Sequence, residues 1–244
     1  SWRPLRQRAL EVAEKWVRDR QDSNGGWGGI VPAMLNSTVA LRALSGDQDS
    51  QVVSGHQGME DFTCELANGR MLQPCVSPVW DTVLALKALL DAGTPPDDPR
   101  LQAGAEWLVE RQVLNTRGDW AVKRPHLRPG GWVFEYENDY YPDVDDTAVI
   151  CMVLDRIVPR DPERTRNAIS RGCEWMLGMQ SRNGGFGAFD VDNTWDFWNS
   201  IPFADMKAML DRPVEDLTGR GLELLGHFGH HAKHPQAGPA LAFV

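Results

Sequence analysis

The sequence predicts an all-α protein, and three observations carry that expectation. Apolar residues recur at helical spacing through most of the 244 residues, with no convincing alternating run to suggest a strand. Helical segments of two kinds take turns: amphipathic ones suited to an outer layer, and ones apolar nearly all round, suited to enclosure by other helices. A Gln followed by Gly-x-aromatic closes three of the outer segments.

Taken in order, residues 6–20 are amphipathic, with Leu10 and Trp16 on the apolar side. A short inner candidate follows at 36–45. The segment 78–92, PVWDTVLALKALLDA, is apolar beyond its first turn; Ser77-Pro78 signals its start and Gly93-Thr94-Pro95-Pro96 its end. Residues 98–112, with Leu101, Trp107 and Leu108, return to the outer type. The inner type comes back at 143–157, DVDDTAVICMVLDRI, announced by Pro142-Asp143. Residues 163–179, with Trp175 and Leu177, are outer again, and 214–226 are inner.

The repeat reads Gln21…Gly25-Gly26-Trp27, then Gln112…Gly118-Asp119-Trp120, then Gln180…Gly184-Gly185-Phe186. A Gln amide at a helix end can engage unsatisfied backbone groups while the following ring packs over it. A structural staple is therefore the favoured reading of each copy. Outer helix, link and inner helix in repetition is how an α/α barrel or toroid is built, although the irregular spacing rules out a strict solenoid.

Composition narrows the function. A formal charge of −9 and the lack of a basic run give no electrostatic reason to bind nucleic acid. Cys64, Cys75, Cys151 and Cys173 form no CxxC pair and suit free thiols in a reducing compartment. No apolar stretch reaches the roughly 18 residues of a spanning helix, which leaves a soluble protein or one lying on a membrane. His227, His230, His231 and His234 gather near the C-terminus, but only His227 and His231 share the i,i+4 spacing of a zinc pair and no Cys joins them.

The stretch YYPDVDDTA places Asp143, Asp145 and Asp146 within four positions. If a helix starts here, Asp143 is its N-cap and Asp146 stands at the third helical position, so capping and the helix dipole account for both. Asp145 is left over, at the mouth of an otherwise apolar helix. Crowded, buried carboxyls cannot all ionise, so one should hold a proton at neutral pH and serve as a candidate acid. A calcium loop of the EF-hand type would need a Gly at its sixth position and a Glu at its twelfth, and neither follows Asp143. The related Asp190-Val191-Asp192-Asn193 reads as turn chemistry.

DVDDTA at 143–148, DWAVKRPHLRPGG at 119–131, SPVWDT at 77–82 and the three Gln…Gly-x-aromatic copies together resemble bacterial squalene–hopene cyclases, the class II triterpene cyclases. Class II diterpene cyclases share DxDD, and the flanking segments narrow the choice. The resemblance implies a two-domain α/α-barrel enzyme on a membrane surface, at the cytoplasmic face of a bacterial inner membrane, with a homodimer as a further expectation for the full-length form. Squalene or a related polyprene would fold in an aromatic cavity and cyclise after protonation of a terminal double bond, without metal or cofactor. By motif match Asp145 is the proton donor, supported by Asp143 and Asp146. Trp80 sits in the first turn of its inner helix, as Asp145 does, so parallel inner helices would bring both to one end of the barrel as substrate contacts; Phe134 matches a cavity aromatic, and Phe189 stands where some members have a tyrosine. Phe203-Ala204, in the apolar loop TWDFWNSIPF, falls at the channel constriction. Arg220 stands where the family pattern has a histidine bonded to the acid; pairing with Asp216, four residues earlier on the same helix, is its plainer reading.

Known members are much longer, so the expected organisation is the end of one barrel at 1–46, a link at 47–66 and an incomplete catalytic barrel at 67–244. Such a piece should expose apolar faces of inner helices, be inactive by itself, and be insoluble or partner-seeking when produced alone. Two other readings stay open: a class II cyclase acting on another isoprenoid, and a non-catalytic toroid that serves as a binding scaffold.

Overall fold

The computed structural model describes residues 2–200 and 209–244. Among them the helices are α1 (Arg3–Asp19), α2 (Val31–Ser45), α3 (Ser50–Asp61), α4 (Pro78–Asp91), α5 (Pro99–Glu110), α6 (Val144–Arg156), α7 (Pro162–Gly178), α8 (Glu215–His227) and α9 (Ala237–Phe243). Each helix of the sequence reading is present within a few residues of its expected ends.

The chain forms two compact units. One comprises residues up to Ser77 together with Glu135–Tyr140; the other holds Pro78–Phe134 and Tyr141–Val244. In the first, α2 packs on α1 and α3 around Trp27, Met34, Leu41, Val52 and Phe62. The segment 47–66 carries α3, whose N-cap Asp49 accepts from the amides of Gln51 and Val52.

The expectation of no strands is corrected here. β1 (Thr63–Leu66) and β2 (Gly69–Leu72) pair antiparallel, with Leu66 opposite Gly69. The strands are four residues each and β2 is fully exposed, so no buried face imposes alternation on the sequence. The local signal was the Asn68-Gly69 dipeptide, a hairpin marker. Arg70 clasps the hairpin to the preceding helix through Glu60 and Glu65.

In the second unit α4, α6 and α8 pack side by side as an inner row, α5 and α7 lie behind them as an outer row, and α9 packs on α8. Enclosure is most complete for α6, where Val144 and every residue from Asp146 to Leu154 are buried. The other inner helices are buried on one side only: α4 through Val79, Val83 and Leu86, with Leu84 and Leu89 exposed, and α2 through Met34, Thr38 and Leu41, with Leu35, Val39 and Leu44 exposed. Apolar exposure on inner helices was expected from the sequence.

The Gln staples are built alike. Gln21 Nε2 donates to the carbonyls of Gly25 and Gln51, at 3.0 and 2.8 Å. Gln180 Nε2 donates to those of Gly184 and Gln236, at 2.8 and 2.9 Å. The middle copy departs from the sequence reading: Gln112 Nε2 reaches the carbonyls of Gly130 and Ala168, at 2.7 and 2.9 Å, and passes over Gly118. The indole that completes it is Trp132, whose Nε1 donates to Leu108 O as Trp27 Nε1 does to Val17 O. An insertion at 114–129 separates the Gln from its glycine by 18 residues instead of four and supplies a nearer Gly-x-Trp that is no part of the staple.

That insertion acts as a strap. Trp120 is buried edge-on against Trp175, with centroids 5.9 Å apart. Arg124 donates to the carbonyls of Gly178 and Gln180 at the end of α7, while Lys123 Nζ bonds Asp190, the Val191 carbonyl and Asn193. The DVDN segment is a turn held by these cations, with Asp192 at φ 57°.

Removing a buried amide that serves two carbonyls should cost about 2 kcal/mol, at roughly 1 kcal/mol per net hydrogen bond. Gln112→Ala should therefore lower the stability of the whole protein by about that amount in urea unfolding, whereas Trp120→Phe leaves the staple intact.

Candidate functional site

Short backbone stitches hold the N-terminal ends of the three inner helices of the second unit together. Val79 N, in the first turn of α4, donates to Phe134 O at 3.2 Å. Asp143 N, at the mouth of α6, donates to Trp132 O at 2.8 Å, and Trp132 N donates back to Thr147 Oγ1 at 2.9 Å. The next stitch repeats the device one helix on: Val214 N donates to Phe186 O, and Phe186 N to Thr218 Oγ1. Val144 N donates to Ala188 O, so the 186–189 segment touches both α6 and α8.

Asp143 caps α6 as expected, with Oδ1 accepting from the amides of Asp145 and Asp146 at 2.6 and 3.1 Å. Asp145 is half-buried and meets Arg220 of α8, the guanidinium Nε lying 2.5 Å from Asp145 Oδ1. Nη1 of the same guanidinium lies 2.6 Å from Glu223 Oε2. The pairing of Arg220 with Asp216 is thus replaced by one with Asp145 and Glu223; the Asp216 carboxylate accepts from the Leu217 amide. Burial opposes the Arg220 charge, but the bonds from Asp145 and Glu223 outweigh it and raise its pKa.

Asp146 behaves differently from the capping role assigned to it. It is 3% exposed and its Oδ1 has no hydrogen-bond partner among the described residues. Burial, then the neighbouring Asp143 and Asp145 charges, push it up to about 9. Burial also pushes Asp143 up, to about 7, with the two amide donors pulling against it and Asp145 and Asp211 adding to it. Of the two carboxyls that burial raises here, that of Asp146 is raised further.

Trp80, in the first turn of α4, is half-buried and packs on the main core, and the stitch from Val79 brings the half-buried Phe134 beside that turn. Phe189 is placed by a residue the sequence did not single out. Asp211 accepts from the amides of Ala188, Phe189 and Asp190, at 2.9, 2.7 and 2.7 Å. A lone Asp in a loop 22 residues away carries no motif, so only the folded chain reveals it. Phe203 and Ala204 lie outside the described residues. Just before them Trp195, Phe197 and Trp198 form an exposed cluster with ring centroids 5.6 to 5.9 Å apart.

A second polar group, also unannounced in the sequence, lies in the first unit. Asp22, Glu135 and Asn138 are all buried, and burial, reinforced by Glu135, pushes Asp22 up to about 8. Near the C-terminus, His227 Nε2 pairs with Asp155 Oδ2 at 2.9 Å, and the His230 and His234 rings lie against one another. Among the described residues no three His, Cys, Asp or Glu side chains are grouped to hold a metal ion.

The raised Asp146 pKa fixes a sign for stability. Between roughly pH 4 and 9 the folded chain holds a proton that the unfolded chain releases, so this contribution is full at low pH and is lost as pH rises through the folded value. The melting temperature of the whole protein should fall between roughly pH 5 and 9, and Asp146→Asn should make that fall shallower without abolishing it, since Asp143 and Asp22 are raised in the same sense. An unchanged slope in the variant would place the proton elsewhere.

Comparison with known proteins covers nearly the whole chain. The family model for the squalene-hopene cyclase N-terminal domain matches residues 1–68, and that for the C-terminal domain matches residues 76–244. The squalene–hopene cyclase of Alicyclobacillus acidocaldarius is 47% identical over 93% of this chain and 36% of the relative. That of Bradyrhizobium diazoefficiens is 44% identical over 94% of this chain and 35% of the relative. A fungal squalene-hopene cyclase, from Schizosaccharomyces japonicus, is 41% identical over 95% of this chain and 36% of its own length. The chain spans about a third of the length of these curated relatives. On the C-terminal match and the identity along nearly its full length, the chain belongs to the squalene-hopene cyclase family.

Proposed function

We propose that the protein containing this chain cyclises squalene to a pentacyclic hopene or hopanol, and that Asp145 delivers the initiating proton. The observation that carries this reading is the guanidinium of Arg220 against Asp145 at the stitched end of the inner helices. Transfer of a proton from the Asp145 carboxyl to a terminal alkene carbon leaves a carboxylate on the protein and a carbocation on the substrate. A fixed guanidinium stabilises that carboxylate and so strengthens the acid. Asp143 orders the turn that presents Asp145, and Asp146 stays neutral beside it, which limits the negative charge that the departing proton must leave behind. Trp80, Phe134 and Phe189 are proposed as faces toward passing cations, each worth roughly 0.5–2 kcal/mol when desolvated.

The inner and outer rows are proposed as part of a closed α/α barrel, with residues 1–46 ending a preceding barrel and 47–66 linking the two. Among the described residues no helix is long and apolar enough to cross a membrane. The exposed Trp195, Phe197 and Trp198 support a monotopic association in which aromatic rings enter the lipid surface, a few residues in sequence before Phe203-Ala204, the proposed channel constriction. An insoluble polyprene would enter from there. The cytoplasmic face of a bacterial membrane is the proposed location, and a homodimer the proposed assembly.

The test is incubation of the full-length protein with squalene and analysis of the extracted lipids. Pentacyclic product is expected, and its absence would turn the reading toward another isoprenoid. Asp145→Asn should lose several orders of magnitude in rate, whereas a scaffold that only binds would be indifferent to it. Arg220→Leu should lower turnover by roughly ten- to hundredfold without unfolding the protein. Arg220→His should add an alkaline loss of activity above about pH 6.5, where imidazole gives up its charge. Wild-type turnover in Arg220→Leu would reduce Arg220 to a structural partner.

A further inference from the structure

Outside the acidic site, one pair of nucleophilic side chains remains without a role. Cys151 lies on α6 and is fully buried, and Cys173 lies on the facing side of α7 and is half-buried. The helices touch closely there. A Cβ on Gly172, next to Cys173, would come within 2.7 Å of Cys151 Sγ, and Cys151 Sγ lies 3.7 Å from the Ile169 carbonyl of α7. Ile169 lies one turn before Cys173, so the Cys151 sulfur sits against the turn of α7 that carries Cys173. Cys173 also lines a surface cavity with Leu177, Leu224, Leu225, Phe228 and His230, so one sulfur of the pair is reachable from outside while the other is not.

We propose that Cys173 and Cys151 form a peroxide-sensitive modification site, Cys173 reacting first and Cys151 resolving it into a disulfide between α7 and α6. The chemistry divides according to access. The Cys173 thiolate attacks the outer oxygen of a hydroperoxide, the O–O bond breaks, and the alkoxide leaves with a proton as alcohol, giving a sulfenic acid on Cys173. Cys151 sulfur then attacks the sulfenyl sulfur, the S–O bond breaks, and hydroxide leaves with the Cys151 proton as water. Two thiols lose two electrons in all, and the peroxide gains them. The neighbouring Cys151 thiol lowers the Cys173 pKa against the opposing effects of burial and the Asp155 charge, which favours the thiolate on the accessible sulfur. Burial, and then Cys173, push Cys151 well up, so it is the poorer first target. Cys64 and Cys75 stand in the other unit and serve as internal controls. On the proposed function the protein would meet lipid hydroperoxides at a membrane, and the cavity at Cys173, mainly apolar but also lined by Asp155, Arg166 and Ser170, suits that oxidant class.

The experiment treats the full-length protein, folded and unmutated, with cumene hydroperoxide, then blocks thiols and digests it without reductant for mass spectrometry. A cross-linked peptide pair containing Cys151 and Cys173, lighter by two hydrogens than its reduced components, is expected. In Cys151→Ala the link should vanish and dimedone should instead trap a sulfenic acid at Cys173, at least tenfold above its wild-type labelling. Cys173→Ala, at the less buried position, should leave Cys151 unoxidised under the same dose and guards against a folding defect in the first variant. No 151–173 link in the wild type, or equal dimedone labelling of Cys173 with and without Cys151, would overturn the proposal.

Discussion

The construction depends on one amide. Each Gln side chain at the end of an outer helix donates twice, once to the glycine carbonyl of its own loop and once to the backbone that opens or runs through a later helix, at Gln51 of α3, Ala168 of α7 or Gln236 just before α9. The loop must come very near that backbone. A Cβ at Gly25, Gly130 or Gly184 would lie only 2.2 to 2.5 Å from the carbonyl oxygen of Ser54, Arg171 or Pro239. Gly25 and Gly184 also sit at φ 87° and 93°, where a side chain is strained. Amide and glycine thus fix the distance between successive outer helices, and the aromatic residue that follows enters the core at a set position.

From that anchor the chain reaches the chemistry in few steps. The residue after the glycine pair, Trp132 or Phe186, is the one whose backbone pairs with the mouth of the next inner helix, at Asp143 or Val214. A threonine one turn into the helix, Thr147 or Thr218, accepts from the same aromatic residue's amide. The positions of Asp145 on α6 and of Arg220 on α8 are consequently inherited from two copies of a single device. The aspartate cluster needs no loop conformation of its own beyond the Asp143 cap.

Much of this could be read beforehand, because helical periodicity and Pro or Gly punctuation are local signals. The inner character of α6 followed from its unbroken apolar run, and Asp143 as its cap from its place just after Pro142. Three things were hidden for physical reasons. The true partner of Gln112 lay beyond an insertion, and sequence offers a nearer decoy at Gly118. The hairpin at 63–72 buries too little to leave a pattern. The division of labour among the aspartates was legible only as crowding: which carboxyl is sealed from water and which meets a cation depends on where α8 lies, and Arg220 is 75 residues from Asp145.

The strap at 114–129 has a consequence for how the molecule opens. In an array of repeats each unit touches its neighbours alone, so fraying can advance one repeat at a time. Lys123 and Arg124 break that arrangement by joining a segment that precedes α6 to the carbonyls closing α7 and to the turn beyond them. Partial opening at α7 must release the strap, and with it the packing of Trp120 on Trp175. The amides of α5, α6 and α7 therefore belong to one cooperative block in hydrogen exchange, with the acid-bearing helix at its centre.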